Sequence, residues 1–244
     1  MKAAVVFGGK SWIALAIARE FAANGFNIYL VARDCEALRA DEPDFRIRYN
    51  VDVTLVEMDI LDMPRLNEFV AGFEADCPLV VISVLGRQEE EGRERDDEEY
   101  IEGLIRGNLL GPAVVLEKFA PLMEKAGHGT LIGISSVAGD RGRQKNYTYG
   151  ATKAGFTAFL SGLRNRLFKA GVRVITVKPG VIETPGTIGM GHPAALMGKP
   201  ETVGADVYRA YEKGRNTIYT PWFWRWIMLI IRLIPEFVFK RLDI

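Results

Sequence analysis

Residues 5–14 read Val5-Val6-Phe7-Gly8-Gly9-Lys10-Ser11-Trp12-Ile13-Ala14. A β-branched apolar run passes through two glycines and a serine into a stretch with helical apolar spacing. This predicts a strand, a tight turn and the start of a helix. Free backbone N–H groups and the positive end of the helix dipole meet at such a turn, which suits a pyrophosphate. Gly8, Lys10, Ser11 and Ile13 are the candidate contacts to a dinucleotide. Trp12 and Ala14 stand where the usual phosphate-binding turn has glycines, so the stretch taken alone also reads as an ordinary tight turn.

Further along the chain the same alternation repeats. Strands are expected at 3–7, 26–32, 51–58, 79–84, 130–135, 172–178 and 217–220, with helices near 12–24, 62–73, 97–125, 149–169 and 201–213. Regular alternation of this kind builds right-handed crossovers and a parallel sheet covered on both faces. The expected architecture is therefore α/β and doubly wound. The charged stretch Gln88 to Glu99 mixes both signs without apolar spacing and is expected to be a solvated loop. Glycine and proline cluster at 179–200, a length and irregularity typical of a lid or binding loop.

In an open parallel sheet, ligands sit beyond the carboxyl ends of the strands. Strand two runs into Arg33, whose guanidinium suits the 2′-phosphate of an adenosine ribose and so favours NADP over NAD; a solvated arginine is the alternative. Strand three runs into Asp59 and Ile60, a carboxylate and backbone for an adenine amino group, although Asp59 could equally cap the helix at 62–73. After strand five come Ser135-Ser136-Val137-Ala138-Gly139, then Tyr149-Gly150-Ala151-Thr152-Lys153. Tyr149 and Lys153 are four apart, so on a helix they share a face, and an ammonium beside a phenol favours the phenolate. An unperturbed tyrosine has a pKa of about 10, so such help matters for proton transfer at neutral pH. Ser136 is placed to hold a substrate oxygen against the tyrosine. Asn108 lies inside an apolar helix, either kinking it to hold a water or as a satisfied buried amide. After strand six, the backbone of Pro179, Gly180 and Val181 and the hydroxyl of Thr184 suit a nicotinamide carboxamide.

Composition sets the outer bounds. The chain has 244 residues with 31 basic and 31 acidic side chains, which matches an ordinary globular domain and supplies no long-range field toward nucleic acid. Two cysteines and two histidines, scattered as Cys35, Cys77, His128 and His192, give no metal-ligand spacing, so no metal is expected. The apolar start is shorter than a signal peptide's hydrophobic region and runs straight into glycines, so a cytoplasmic location is expected.

Taken together these motifs resemble the short-chain dehydrogenase/reductase family, and the resemblance spans the whole chain. The family's glycine turn matches Gly8 and Ile13, its adenine aspartate Asp59, its catalytic tetrad Asn108, Ser136, Tyr149 and Lys153, and its Pro-Gly-x-x-x-Thr matches Pro179, Gly180 and Thr184. Two departures stand out: the family's Asn-Asn-Ala-Gly appears as Ser83-Val84-Leu85-Gly86, and its second turn glycine is Trp12. The resemblance implies a single doubly wound Rossmann-type domain with a mostly parallel seven-stranded sheet and helices on both faces. Residues 1–216 would form the NAD(P)-binding part with a substrate loop at 184–200, and 217–244 its last strand and carboxyl-terminal helix. It implies hydride transfer between NAD(P)H and a carbonyl, with NADP(H) favoured and NAD(H) the alternative. Tyr149 would be the acid. Lys153 would lower its pKa and hold the nicotinamide ribose, Ser136 would orient the carbonyl, and Asn108 would support a relay water.

The opening Gly-Gly-x-Ser-x-Ile, Ser135 to Arg141, and the tail Thr220-Pro221-Trp222…Arg225…Met228…Arg232…Ile234-Pro235…Phe239-Lys240-Arg241-Leu242 are similar to a narrower group, the reductase components of decaprenylphosphoryl-β-D-ribose 2′-epimerases. That similarity implies a polyprenyl-phosphate-linked 2-keto pentose as substrate and a flavin oxidase as the partner that makes it. Residues 222–234 carry two arginines in thirteen residues, too short and too charged to span a bilayer that needs about twenty apolar residues. Arg225 and Arg232 are seven apart and share a helical face, and Trp222, Trp224 and Trp226 with Lys240 and Arg241 suit a helix lying in the inner membrane interface. Burial of the same helix in a homo-oligomer interface is the alternative. Two rival functions remain: reduction of a soluble or lipid ketone of the 3-ketoacyl or keto-steroid type, and a nicotinamide-binding subunit without turnover.

Overall fold

The computed structural model describes residues 2–87, 97–189, 191 and 193–242. Residues 88–96 of the charged stretch, and Met190 and His192 of the glycine- and proline-rich segment, lie outside the described residues. In chain order the elements are β1 (Ala3–Phe7), α1 (Trp12–Ala23), β2 (Asn27–Ala32), α2 (Asp41–Tyr49), β3 (Val53–Glu57), α3 (Met63–Ala71) and β4 (Val80–Ser83). There follow α4 (Glu98–Ile105), α5 (Gly111–Ala126), β5 (Thr130–Ile134), α6 (Tyr147–Leu167), β6 (Arg173–Pro179), β7 (Val181–Ile182), β8 (Met197–Gly198) and α7 (Pro200–Glu212), then β9 (Thr217–Thr220), α8 (Trp224–Leu233) and the short α9 (Glu236–Phe239).

Seven strands form one parallel sheet in the order β3-β2-β1-β4-β5-β6-β9. The first strand shows why its sequence is apolar throughout rather than alternating: both faces are covered. Ala4 and Val6 pack with Ile17 and Phe21 of α1 and Val203 and Val207 of α7. Val5 and Phe7 face the other way, into Leu66 of α3, Phe119 of α5 and Phe156 and Leu160 of α6. Chain order reverses between β1 and β4, which opens the crevice where this architecture takes ligands. In register Phe7 lies beside Ser83, and Ser83 beside Gly133, so the loops after β1, β4 and β5 emerge side by side.

Three sequence expectations change. The helix expected over 97–125 is two helices joined by a five-residue π turn, Arg106–Leu110. The interruption falls at Asn108, whose amide bonds outside the helix. The helix α2 was not foreseen, because Asp41–Tyr49 buries only Phe45 and so lacks an apolar stripe. The tail helix is shorter than 222–234: Trp222 and Phe223 form a turn, and Ile234 leaves the helix with ψ 122°. Among the described residues no helix is long and apolar enough to cross a membrane.

Candidate active site

At the first turn, the N–H groups of Gly8 and Gly9 both donate to the Val31 carbonyl at 3.0 Å, tying the turn to β2. Gly8 has φ +88°, a left-handed conformation that favours glycine, and a Cβ there would stand 3.0 Å from the Val84 carbonyl oxygen. Ser11 is the N-cap of α1 but makes no side-chain cap bond, so the first N–H groups of α1 are left without that internal acceptor. Ile13 is half-buried, while Trp12, in the family's glycine position, holds its ring 47% exposed.

The strand-end residues expected at the adenosine end are spread over the same edge. Arg33 is exposed directly after β2 and has no hydrogen bond or ion pair among the described residues. Lys10 pairs with Asp34 at 2.7 Å, and this bond, ahead of the Glu36 N–H, holds the Asp34 carboxyl below its ordinary range. Lys10 and Arg33 thus place two cations at this end. Asp59 is not the cap of α3. Asp62 accepts the Arg65 N–H and fills that role, whereas Asp59 accepts the Leu61 N–H in its own turn. Ile60 packs over the start of α5, where a Cβ on Gly111 would stand 2.4 Å from its Cδ1.

The reactive groups gather where β4, β5 and α6 meet. Asn108 is fully buried; its Oδ1 accepts the Arg87 N–H at 2.7 Å and its Nδ2 donates to the Arg87 carbonyl at 2.8 Å. Both readings leave their mark: the amide is satisfied by Arg87, and the helix is interrupted at Asn108 by a π turn of the kind that often marks functional helices. Gly86, next to Arg87, packs so closely that a Cβ would stand 2.9 Å from Asn108 Oδ1 and 3.0 Å from Lys153 Nζ. Ser136 ends the stretch after β5, and its Oγ accepts the Ala138 N–H at 3.1 Å. Ser135 Oγ donates to the Lys153 carbonyl at 3.0 Å and lies 2.7 Å from Thr157 Oγ1, seating α6 against β5.

Tyr149 is half-buried, and burial pushes its phenol above the ordinary value. Opposing that are a hydrogen bond with Ser136 and the guanidinium of Arg143. Lys153 lies on α6 four residues after Tyr149, beside its ring. Its Nζ lies 5.8 Å from the Tyr149 ring centroid and donates to the Ile134 carbonyl at 3.2 Å. Lys153 is only 3% exposed, and burial pushes its pKa down to about 8. Arg143, which the sequence did not single out, therefore joins Ser136 and Lys153 around the phenol.

After β6, Pro179 and Gly180 lead into β7, where Val181 pairs in register with Met197. The Thr184 N–H donates to Thr187 Oγ1 at 2.9 Å, and its hydroxyl lies 3.3 Å from the same oxygen. Of the backbone amides expected to meet a carboxamide, the Gly180 N–H is already engaged, donating to the Thr220 carbonyl at 3.0 Å.

The tail is built into this site. Arg141 donates from Nη1 to the carbonyls of Ile231 and Ile234, both at 2.6 Å, and from Nη2 to Glu236 at 3.0 Å. Asp140 accepts from Lys178, which is buried, and from the Tyr219 hydroxyl at 2.7 Å. Trp224 is 5% exposed, with its Nε1 donating to Leu196, and a Cβ on Gly180 would collide with it at 2.0 Å. The three tail tryptophans are therefore not equivalent: Trp224 belongs to the core, whereas Trp222 is 70% and Trp226 54% exposed.

Residues 2–192 match the sequence profile of the family described as short chain dehydrogenase. An uncharacterised oxidoreductase of Mycobacterium tuberculosis is 34% identical over 240 residues, covering 98% of this chain and 96% of its own. One from Streptomyces coelicolor is 32% identical over 249 residues, covering 98% and 94%. The structure of a short-chain dehydrogenase from Sphingobium yanoikuyae in complex with NADPH superposes with a TM-score of 0.81 over 96% of this chain and 97% of that one, at 24% identity.

Proposed function

The chain belongs to the short chain dehydrogenase family, and we propose that it is an NADPH-dependent ketoreductase acting on an amphiphilic, phosphate-linked 2-keto sugar. The observation that carries the chemistry is the convergence of Ser136, Tyr149 and Lys153 beside the β1/β4 crevice. The residues present fit a nicotinamide dinucleotide: a glycine turn with positive φ, an α1 N-terminus without a side-chain cap, and a buried lysine beside a phenol. In this reading Gly8, Ser11 and Ile13 hold the pyrophosphate, Lys10 and Arg33 the adenosine 2′-phosphate, Asp59 and Ile60 the adenine, Lys153 the nicotinamide ribose, and Pro179, Gly180, Val181 and Thr184 the carboxamide end. Bound NADPH supplies the hydride. The NADPH in the structurally similar Sphingobium enzyme supports the choice of cofactor.

The protein's own groups then divide the work. Ser136 Oγ donates to the carbonyl oxygen and fixes its direction. Tyr149, whose phenol burial pushes further above its ordinary value, gives that oxygen its proton as negative charge develops there. Asn108 acts by position, its amide clamping the Gly86–Arg87 loop against Lys153.

The substrate assignment rests on the tail. On α8, Trp226, Leu229, Ile230 and Leu233 are exposed on the side opposite the buried Trp224 and Met228. At 100° per residue, Arg225 and Arg232 fall together along one border of that apolar face. An exposed apolar stripe bordered by arginines suits a membrane interface, and Arg141 ties the helix to the loop carrying Ser136. A lipid-linked ketone, made by a flavin oxidase partner, would reach Tyr149 along it. The decisive assay mixes the protein, NADPH and a polyprenyl-phosphate 2-keto pentose in anionic vesicles. Stoichiometric NADPH oxidation with the alcohol as product supports the reading. Turnover of 3-ketoacyl or keto-steroid compounds alone contradicts it. An oligomer that buries α8 and ignores vesicles would assign the tail to assembly instead.

A further inference from the structure

Between Ser136 and Tyr149 the chain makes a turn that contains two very different arginines. Arg141 is saturated with tail acceptors. Arg143, two residues on, has no hydrogen bond or ion pair among the described residues, and its Nε is shielded from solvent without a partner. Its carbonyl accepts the Asn146 N–H at 3.2 Å, which closes the turn directly ahead of α6. Asn146 Oδ1 is a second shielded polar atom without a partner, so two unsatisfied groups flank the entry to the helix that carries Tyr149. The turn sets Arg143 six residues ahead of Tyr149, and its positive charge opposes the upward push that burial gives the Tyr149 phenol.

A half-buried cation without a counter-ion is costly, and native proteins leave one where something else supplies the charge. The described neighbours offer none. We propose that Arg143 is the charge-reading residue of the substrate site, binding a negatively charged oxygen group, such as a phosphate ester or carboxylate, that the substrate carries near its reacting carbonyl. The planar guanidinium suits bidentate contact with such an oxyanion, which would also satisfy the stranded Nε. Burial pulls the Arg143 pKa down, consistent with a cation that lacks its counter-charge in the ligand-free protein. The inference rests on the placement of the carbonyl at Tyr149, and it holds whether or not the substrate is a prenyl lipid.

The test compares small ketones: neutral hydroxyacetone against hydroxyacetone phosphate (a free phosphate monoester), its methyl ester (the charge of a lipid phosphodiester) and acetoacetate (a carboxylate). At least one anionic ketone should exceed hydroxyacetone in kcat/KM by about 10- to 100-fold, the range of a charge-assisted hydrogen bond. Arg143→Gln should collapse that ratio to within about threefold, and Arg143→Lys should keep part of it. In parallel, calorimetric titration of the unmodified protein with propane-1,2-diol 1-phosphate should show binding at least about tenfold tighter than propane-1,2-diol, a readout that needs neither turnover nor a folded variant. Equal binding of phosphate ester and neutral diol, or a ratio that survives Arg143→Gln, overturns the proposal. If the phosphate ester binds through Arg143 while no ketone is reduced, the charge-reading site stands and the ketoreductase reading falls.

Discussion

Arg141 Nη1 donates to the Ile234 carbonyl at 2.6 Å, so the residue that ends α8 is held by the loop that begins at Ser136. The same guanidinium stacks on Phe239 at 3.6 Å from its centroid. Arg141→Ala removes this clamp and leaves the Ile231 and Ile234 carbonyls without their donor. The expected cost is about 2 kcal/mol. Hydrogen exchange should quicken over 224–239 while β1, β4 and β5 keep their protection. Unchanged exchange in the tail would show that the clamp is incidental.

The tail tryptophans should separate by role. Trp224 fills the space above Gly180, so Trp224→Ala should cost about 3–5 kcal/mol by emptying a packed site. Trp222→Ser and Trp226→Ser remove exposed rings and should change stability by no more than about 0.5 kcal/mol each. In the membrane reading the exposed pair carries vesicle binding, and affinity for anionic vesicles should drop in the double variant. Thermal melts alongside vesicle co-sedimentation check both halves; equal destabilisation by all three would contradict the division.

Lys153 gives a pH signature. Its ordinary pKa is 10.5 and burial lowers it to about 8, so between these values the unfolded chain binds a proton that the folded one does not. Stability contributed by this group therefore rises with pH across about 8 to 10.5, by an order of 3 kcal/mol. Cys35, Cys77 and Tyr149, all raised by burial, work against it at the alkaline end. The comparison is therefore with Lys153→Met: the variant should exceed the unmodified protein most below pH 8, and the gap should shrink as pH climbs toward 10. A gap independent of pH would mean that Lys153 is not desolvated.

In the proposed reading Arg33 and Lys10 hold the 2′-phosphate; Lys10 pairs with Asp34, while Arg33 has no hydrogen bond or ion pair among the described residues. Arg33→Ala should weaken NADPH binding by about 10- to 100-fold and barely alter NADH. Fluorescence titration of both cofactors decides. Equal affinities in the unmodified protein would reduce Arg33 to a solvated side chain.

Much of this was legible before any coordinates. Val5-Val6-Phe7-Gly8-Gly9 reads as a strand and turn because a strand buried on both faces must be apolar throughout, and the seven strands of the sheet follow from the same rule. The Tyr149/Lys153 pair was legible as a shared helical face. Its electrostatics were not, because burial and the Ile134 carbonyl are tertiary facts that spacing does not encode. Arg143 was invisible for the same reason: nothing in Arg141-Gly142-Arg143 says that one guanidinium meets a helix end and the other stands alone. Trp224 was grouped with its neighbours because aromatic density suggests a belt, whereas the collision with Gly180 puts it inside. The interruption at Asn108 was legible as a kink, because an amide in an apolar helix competes for backbone bonds, but periodicity does not encode that it is a π turn.

The most direct test of the account is pre-steady-state reduction of the polyprenyl-phosphate 2-keto pentose by NADPH, comparing the unmodified protein with Tyr149→Phe. If Tyr149 gives the proton, the variant should bind NADPH within about threefold of the unmodified protein while hydride transfer slows by at least about 10²–10⁴-fold. Hydride transfer at the unmodified rate in Tyr149→Phe, with cofactor still bound, would contradict the assignment of this site.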